Sequence, residues 1–230
     1  MTRLRPYGQK LWIADGPVVG FFGFAYPTRT AIIRLASGGL FVWSPIELDP
    51  ALKAEVDGLG PVAHLVSPNK LHHLYLAQWK ETYRGAQLHL PPGLAKKRPD
   101  LTFDGELRDN APPDWSGEID QVCFAGSLAM TEIVFFHRAS STALFGDLIE
   151  NFPRGWFTGW RGWIARLGGI VAPDGGAPGD LRLSFVGRKK ARRALAHILE
   201  WHPRQVVIAH GDGVRAEGEA FIRHAFRWLG

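Results

Sequence analysis

The sequence predicts an α/β sandwich, and three observations carry that prediction. Short apolar runs rich in β-branched and aromatic residues alternate with segments of helical periodicity in both halves of the chain. Glycine and proline punctuate the junctions between them. The 230 residues are 46% hydrophobic and include nine Trp and fourteen Phe, enough to bury a sizeable core. That composition excludes disordered, collagen-like and disulfide-scaffold classes.

The elements follow in order. Residues 11–14 form a strand that runs into Asp15-Gly16-Pro17, and the apolar run 18–24 follows. Strands 30–35 and 40–43 flank Ser37-Gly38-Gly39, a hairpin signal. Pro45 closes the second strand because proline cannot continue a central ladder. Asp49-Pro50 opens a helix, with Asp49 as N-cap and Pro50 at the first helical position. Leu52, Val56 and Leu59 give it an apolar stripe, and Gly58 and Gly60 end it. Residues 62–66 are a buried-type strand stopped by Ser67-Pro68-Asn69. A helix is predicted over 72–83, with Leu71, Tyr75 and Trp79 on one face. Residues 87–90 are a strand, and the polar, turn-rich stretch 96–118 reads as a surface excursion. Strands follow at 119–124, 132–137 and 142–145. Residues 151–180, rich in Gly and Trp, fit no strand pattern. A helix basic on one side spans 188–201, a buried strand 206–209, and an amphipathic helix 216–229.

The single cysteine, Cys123, cannot form an internal disulfide, so nothing points to an oxidising compartment. The charged opening, with Arg3 and Arg5, has no apolar run behind it and predicts no signal peptide. No window of about 18 apolar residues predicts a membrane span, and the expectation is a soluble, cytoplasmic protein. The net charge of +5 is unevenly spread. Residues 1–150 carry 14 Lys/Arg against 16 Asp/Glu (−2), whereas 151–230 carry 13 against 6 (+7). A basic C-terminal third fits an anionic partner or substrate, or ordinary solvated surface.

Three loops each follow a predicted buried strand: 69–73, Gly146-Asp147 and His210-Gly211-Asp212. Strand ends position ligand and catalytic groups while leaving them accessible. Two imidazoles and a carboxylate converging there would suit a divalent metal.

The order of elements resembles the metallo-β-lactamase fold over nearly the whole chain. In that family a strand–helix–strand unit leads into His-x-His-x-Asp-His. Here the unit leads into Ser67-Pro68-Asn69-Lys70-Leu71-His72, which matches only at the last histidine. Ala143-Leu144-Phe145-Gly146-Asp147 resembles the family's strand ending in Gly-Asp, and 206–211 its last metal histidine in a His-Gly pair. No histidine stands near Ala125-Gly126-Ser127, where a further ligand would be expected. More narrowly, Pro68-Asn69-x-x-His72-His73 and 132–151 are similar to a divergent branch, the DUF4336 group. The resemblance implies a metallo-β-lactamase-like αββα sandwich, with mixed sheets and helices on the outer faces. It would fill 1–230 as one domain, with a Trp/Gly-rich insertion at about 151–180.

The resemblance further implies one metal, zinc or iron, held by His72, Asp147 and His210, because Ser67, Asn69 and Ser127 would leave the second site of the two-metal enzymes without ligands. The function so implied is a single-metal hydrolase, with Asp147 and His72 as its catalytic residues and a small-molecule or anionic substrate. The alternative is a non-catalytic binding or structural protein that kept the fold and lost the metal. Asn69, His73, His137 and Asp212 are secondary candidates, with Asp212 read first as shaping the Gly211–Gly213 turn and otherwise as an acceptor for His210, and Lys70 and Arg138 are neighbouring donors or surface charge. His72 and His73 point about 100° apart if both are helical, so they do not both ligate easily. Trp156, Trp160 and Trp163 lie at helical spacing among Arg154, Arg161 and Arg166. They read as sheet-flank packing, a lid, a homodimer surface or a membrane-surface contact. The basic run 188–193 alone is a weak case for nucleic acid, since no zinc-finger, P-loop or RNP pattern accompanies it.

Overall fold

The computed structural model describes residues 3–230; Met1 and Thr2, at the head of the segment read for a signal peptide, lie outside the described residues. The chain opens with β1 (Arg5–Gly8), β2 (Leu11–Asp15), β3 (Val19–Phe21), β4 (Phe24–Tyr26), β5 (Arg29–Arg34) and β6 (Leu40–Trp43). Helix α1 (Pro50–Leu59), β7 (Val62–Val66), α2 (Leu76–Thr82), β8 (Gln87–Leu90), α3 (Leu94–Lys97) and β9 (Gly105–Glu106) complete the first half. The second half contains β10 (Ile119–Phe124), β11 (Glu132–His137), β12 (Thr142–Phe145), α4 (Gly159–Gly168), α5 (Gly179–Leu183), α6 (Arg188–Glu200), β13 (Gln205–Ile208) and α7 (Gly218–Ala225).

Two sheets face each other. The larger runs β1-β2-β5-β6-β7-β8-β9 and the smaller β10-β11-β12-β13, while β3 and β4 form a separate hairpin. The pairs β6–β7, β7–β8 and β12–β13 are parallel, so the ends of those strands share an edge. Residue alternation assigns the faces. Phe41, Trp43 and Val66 meet Ile133, Phe135, Leu144 and Val207 between the sheets. The intervening Val42 and Leu65 pack outward on Leu52 and Val56 of α1 and Trp79 of α2. Val134, Ala143, Phe145 and Val206 pack outward on Ala191, Ala194 and Ile198 of α6 and Ile222 of α7. The result is the expected αββα sandwich.

The helix at 50 is capped as predicted, with the Leu52 amide donating to Asp49 Oδ1 at 2.9 Å. The apolar run 18–24 turns at Phe22-Gly23 and supplies β3 and the start of β4. Two expectations are corrected. Residues 72–75 are not helical, and α2 begins only at Leu76. Side chains upstream take the groups a helix start would need. Ser67 Oγ bonds the carbonyls of Asn69 (2.8 Å) and His72 (2.9 Å), and Asn69 Oδ1 accepts from the Leu71 amide at 2.8 Å. Finally, 96–118 is not wholly a surface excursion, because Leu107 and Trp115 are buried, Trp115 against Phe41, His64 and His89. Among the described residues no helix is long and apolar enough to cross a membrane.

Candidate functional site

His72, Asp147 and His210 reach one point from the loops that follow β7, β12 and β13. One ligand atom from each lies within 4.8 Å of the others. Asp147 sits between the two rings, its Oδ2 3.1 Å from His72 Nε2 and its Oδ1 3.2 Å from His210 Nε2.

Both imidazoles are held from behind. His210 Nδ1 donates to the Pro27 carbonyl at 2.7 Å, so in the neutral ring Nε2 is the unprotonated nitrogen and faces Asp147. His72 Nδ1 lies 2.7 Å from Ser44 Oγ. Ser44 follows β6 with φ +51°, a left-handed conformation that a serine adopts only where its surroundings enforce it. Tyr26 stands edge-on to His210, ring centres 5.2 Å apart. The loop carrying His210 is anchored by Arg29, which bonds the Ile208 carbonyl at 2.8 Å and also the Gly211 carbonyl. Gly211 has φ +107°, and a Cβ there would collide with the Asn151 carbonyl, which explains the His-Gly pair.

Asp147 is oriented by a buried pair. Asn69 Nδ2 donates to Asp147 Oδ2 at 2.6 Å and to Glu132 Oε2 at 2.8 Å. Glu132 also accepts the amides of Gly146 (2.8 Å) and Asp147 (2.7 Å). Gly146 is required here, since a Cβ would lie 2.9 Å from both Asn69 Nδ2 and Glu132 Oε2.

The electrostatics follow from burial and crowding. Burial resists ionisation of Asp147, but the His72 charge and the hydrogen bonds of both histidines overcome it and hold the carboxyl well below its usual range. Burial likewise opposes charge on His210, yet the bond to Asp147 outweighs it and lifts the ring to about 8. Burial and then the Asp147 charge push Glu132 up to about 7, against the amides that stabilise its anion.

These groups open on a cavity of about 490 Å³. Its apolar wall includes Phe21, Phe22, Tyr26, Ile46 and Leu181, and its polar wall includes Lys70, Glu150 and Asp180. Glu150 is buried, and its Oε2 meets no hydrogen-bond partner among the described residues. Burial pushes it up to about 8, with His210 pulling it down and Asp147 and Asp180 adding to the rise.

The remaining sequence candidates divide. Asn69 lies in the site. His73 borders the cavity, but its Nδ1 is 3.2 Å from Arg98 Nη1, so it faces a cation and stands outside the His–Asp–His cluster. His137 is corrected: it sits at the far end of β11 from Glu132, roughly 16 Å along the strand, with Nδ1 2.7 Å from Ser140 Oγ. Asp212 takes the turn-shaping role: its side chain is exposed, its backbone shapes the turn against Asn151, and the Pro27 carbonyl holds the His210 ring. Arg138 pairs with Asp120 at 2.6 Å and is surface charge. Ser127 bonds Ser184 at 2.6 Å, so neither it nor the loop-bracing Ser67 replaces a ligand. Trp156 precedes α4 and donates to the Ala25 carbonyl at 2.9 Å, while Trp160 and Trp163 lie on the helix. Sequence reasoning missed Ser44, Pro27 and Glu150. Of these only Glu150 left a trace, a lone carboxylate three residues after Asp147 in an apolar run.

Comparison with known proteins agrees with this fold. Solved structures match at low identity over almost the whole chain. The DIM-1 metallo-β-lactamase exposed to ceftazidime is 14% identical with TM-score 0.68, covering 99% of this chain and 95% of its own. A metallo-β-lactamase from Hirschia baltica is 13% identical with TM-score 0.66, covering 98% and 96%. FIM-1 from Pseudomonas aeruginosa, in its mono-zinc form, is 13% identical with TM-score 0.65, covering 98% and 93%. No curated protein matches the sequence. The DUF4336 family, a domain of unknown function, matches residues 9–157. The chain therefore belongs to the DUF4336 family and has the metallo-β-lactamase fold.

Proposed function

We propose that the protein is a metal-dependent hydrolase that works with a single divalent cation held by His72, Asp147 and His210. The observation that carries this reading is the convergence of three donor atoms within 4.8 Å on the floor of a cavity. The donor set fits: two imidazoles and one carboxylate with room for further ligands is a familiar set for zinc or iron. The hydrogen bond that commits His210 Nδ1 to Pro27 presents Nε2 as a lone-pair donor. The fold neighbour FIM-1 in its mono-zinc form supports a one-metal stoichiometry on this architecture.

A divalent cation at this point supplies Lewis acidity for hydrolysis near neutral pH. The chain's own groups do the rest. Asn69 fixes the Asp147 carboxylate, and the apolar wall of Phe21, Phe22 and Ile46 excludes water around a substrate. Burial favours the protonated form of Glu150, which lines the cavity, and we assign its carboxyl as the proton donor to a leaving group. The polar wall, with both Lys70 and acidic groups, fits a small molecule carrying polar substituents.

The test is elemental analysis of protein purified without chelator, followed by titration of the apo-protein with zinc, iron(II) and manganese. One metal ion per chain is expected, with binding lost in Asp147→Ala and His210→Ala. Failure of all three metals to bind would instead favour a hydrogen-bonded His–Asp–His cluster in a non-catalytic protein.

A further inference from the structure

We propose that the rim of the cavity docks on an anionic membrane surface through α4 and the β3–β4 turn. The first support is an inversion in α4. An amphipathic helix on a protein surface normally turns its large apolar side chains to the core. Here Ala165 is the buried residue, and Gly162 passes so close to the Phe157 carbonyl that a Cβ would lie 2.7 Å from it. Trp160, Trp163, Ile164 and Leu167 point the other way. Trp163 is 70% exposed and Leu167 81%. The glycines at 159, 162 and 168 make this a poor helix by itself, so it is held by the body of the protein while its apolar side faces out.

The exposed face extends beyond the helix. Phe22, at the tip of the β3–β4 hairpin, is 89% exposed. The hairpin is tied to α4 by Arg161, whose Nε donates to the Gly23 carbonyl at 2.9 Å, and by Phe24 against Trp160. At the other end Arg182 Nη2 bonds the Gly168 carbonyl at 2.6 Å, bringing in α5 with Leu183, 86% exposed. Phe21, Phe22, Leu74, Ala129 and Leu181 line the cavity itself, so the fringe surrounds the mouth of the site. Apolar patches of this extent mark interaction surfaces.

Charge selects the partner. The segments that carry these side chains are 18–28, 70–75, 127–131, 154–171 and 179–187, and together they contain one acidic residue, Asp180. They contain five Lys or Arg: Lys70, Arg154, Arg161, Arg166 and Arg182. Outward aromatic and aliphatic side chains among cations in net excess are what an interfacial helix presents to anionic headgroups, with Trp at the boundary. A self-complementary dimer would have to bring these cations together with only Asp180 from the same segments to offset them.

The experiment is co-sedimentation of the whole protein with unilamellar vesicles. One set is phosphatidylcholine alone and the other is phosphatidylcholine mixed with phosphatidylglycerol, each at low and high salt. The expected result is binding to the anionic vesicles, release as salt rises, and a partition coefficient about tenfold lower or more in Trp163→Glu and Leu167→Glu. Both positions are exposed and remote from the ligands, so circular dichroism and metal content of these variants should match the parent. Three results would overturn the proposal: no pelleting with either vesicle, pelleting that the two variants leave unchanged, or a dimer in sedimentation velocity that the variants dissolve in a protein that ignores lipid.

Discussion

At the scale of single residues the site depends on groups that touch no substrate. Ser44 meets the back of the His72 ring and owes its position to a left-handed turn after β6. Such outer partners set the orientation of a ligand, and losing one typically weakens metal affinity about 10–100-fold. Ser44→Ala should therefore show that loss in a competitive chelator titration, with the fold unchanged by circular dichroism. Glu150 makes a different prediction. With any substrate the site turns over, Glu150→Gln should keep the metal and lower kcat by roughly 10²–10⁴-fold if its proton reaches the leaving group; an unchanged kcat would remove it from the chemistry. His72, Asp147 and His210 were legible in the sequence because each follows a buried strand. Ser44 was not, since its meaning comes from a ring 28 residues later, and the Pro27 carbonyl leaves no mark in a side-chain pattern at all.

At the scale of elements, strands β8 and β11 carry buried histidines outside the site. Burial lowers His89, with His64 adding to the effect, and lowers His137, each to about 4. The unfolded chain takes up these protons below about 6.5, whereas the folded protein resists until about 4, so stability is lost as pH falls through that window. Each contributes on the order of 3 kcal/mol to the loss. Urea midpoints between pH 7 and 4 should fall, and His137→Asn should flatten the slope relative to the parent. Element boundaries were readable wherever a local signal governs, as with the Asp49 cap of α1 or the proline after β6. They failed where distant partners decide. Trp115 looked like part of a polar loop because Phe41, His64 and His89, which bury it, come from other strands. The helix expected from residue 72 starts late because Ser67 and Asn69 capture the backbone first.

At the scale of the whole molecule, the excess positive charge of residues 151–230 is not part of the His–Asp–His cluster. Eight of its thirteen cations lie on α4, α5 and α6, and those of α4 and α5 stand beside side chains that the core leaves outside. The sandwich itself has a consequence for that cluster. His72 hangs from the larger sheet, while Asp147 and His210 hang from the smaller one. The three atoms thus gauge how the two layers are seated, much as a caliper reads the gap between its jaws. The spacer is the interlayer packing of Phe41, Phe135 and Leu144. Thinning it with Phe135→Leu, a side chain that makes no contact with a ligand atom, should let the jaws drift and weaken metal binding, while Phe136→Leu on the outer face of the same strand should lower stability and leave affinity near that of the parent. Isothermal titration of the two variants side by side would tell a cage built on one rigid layer from one whose dimensions are set by the fit between two.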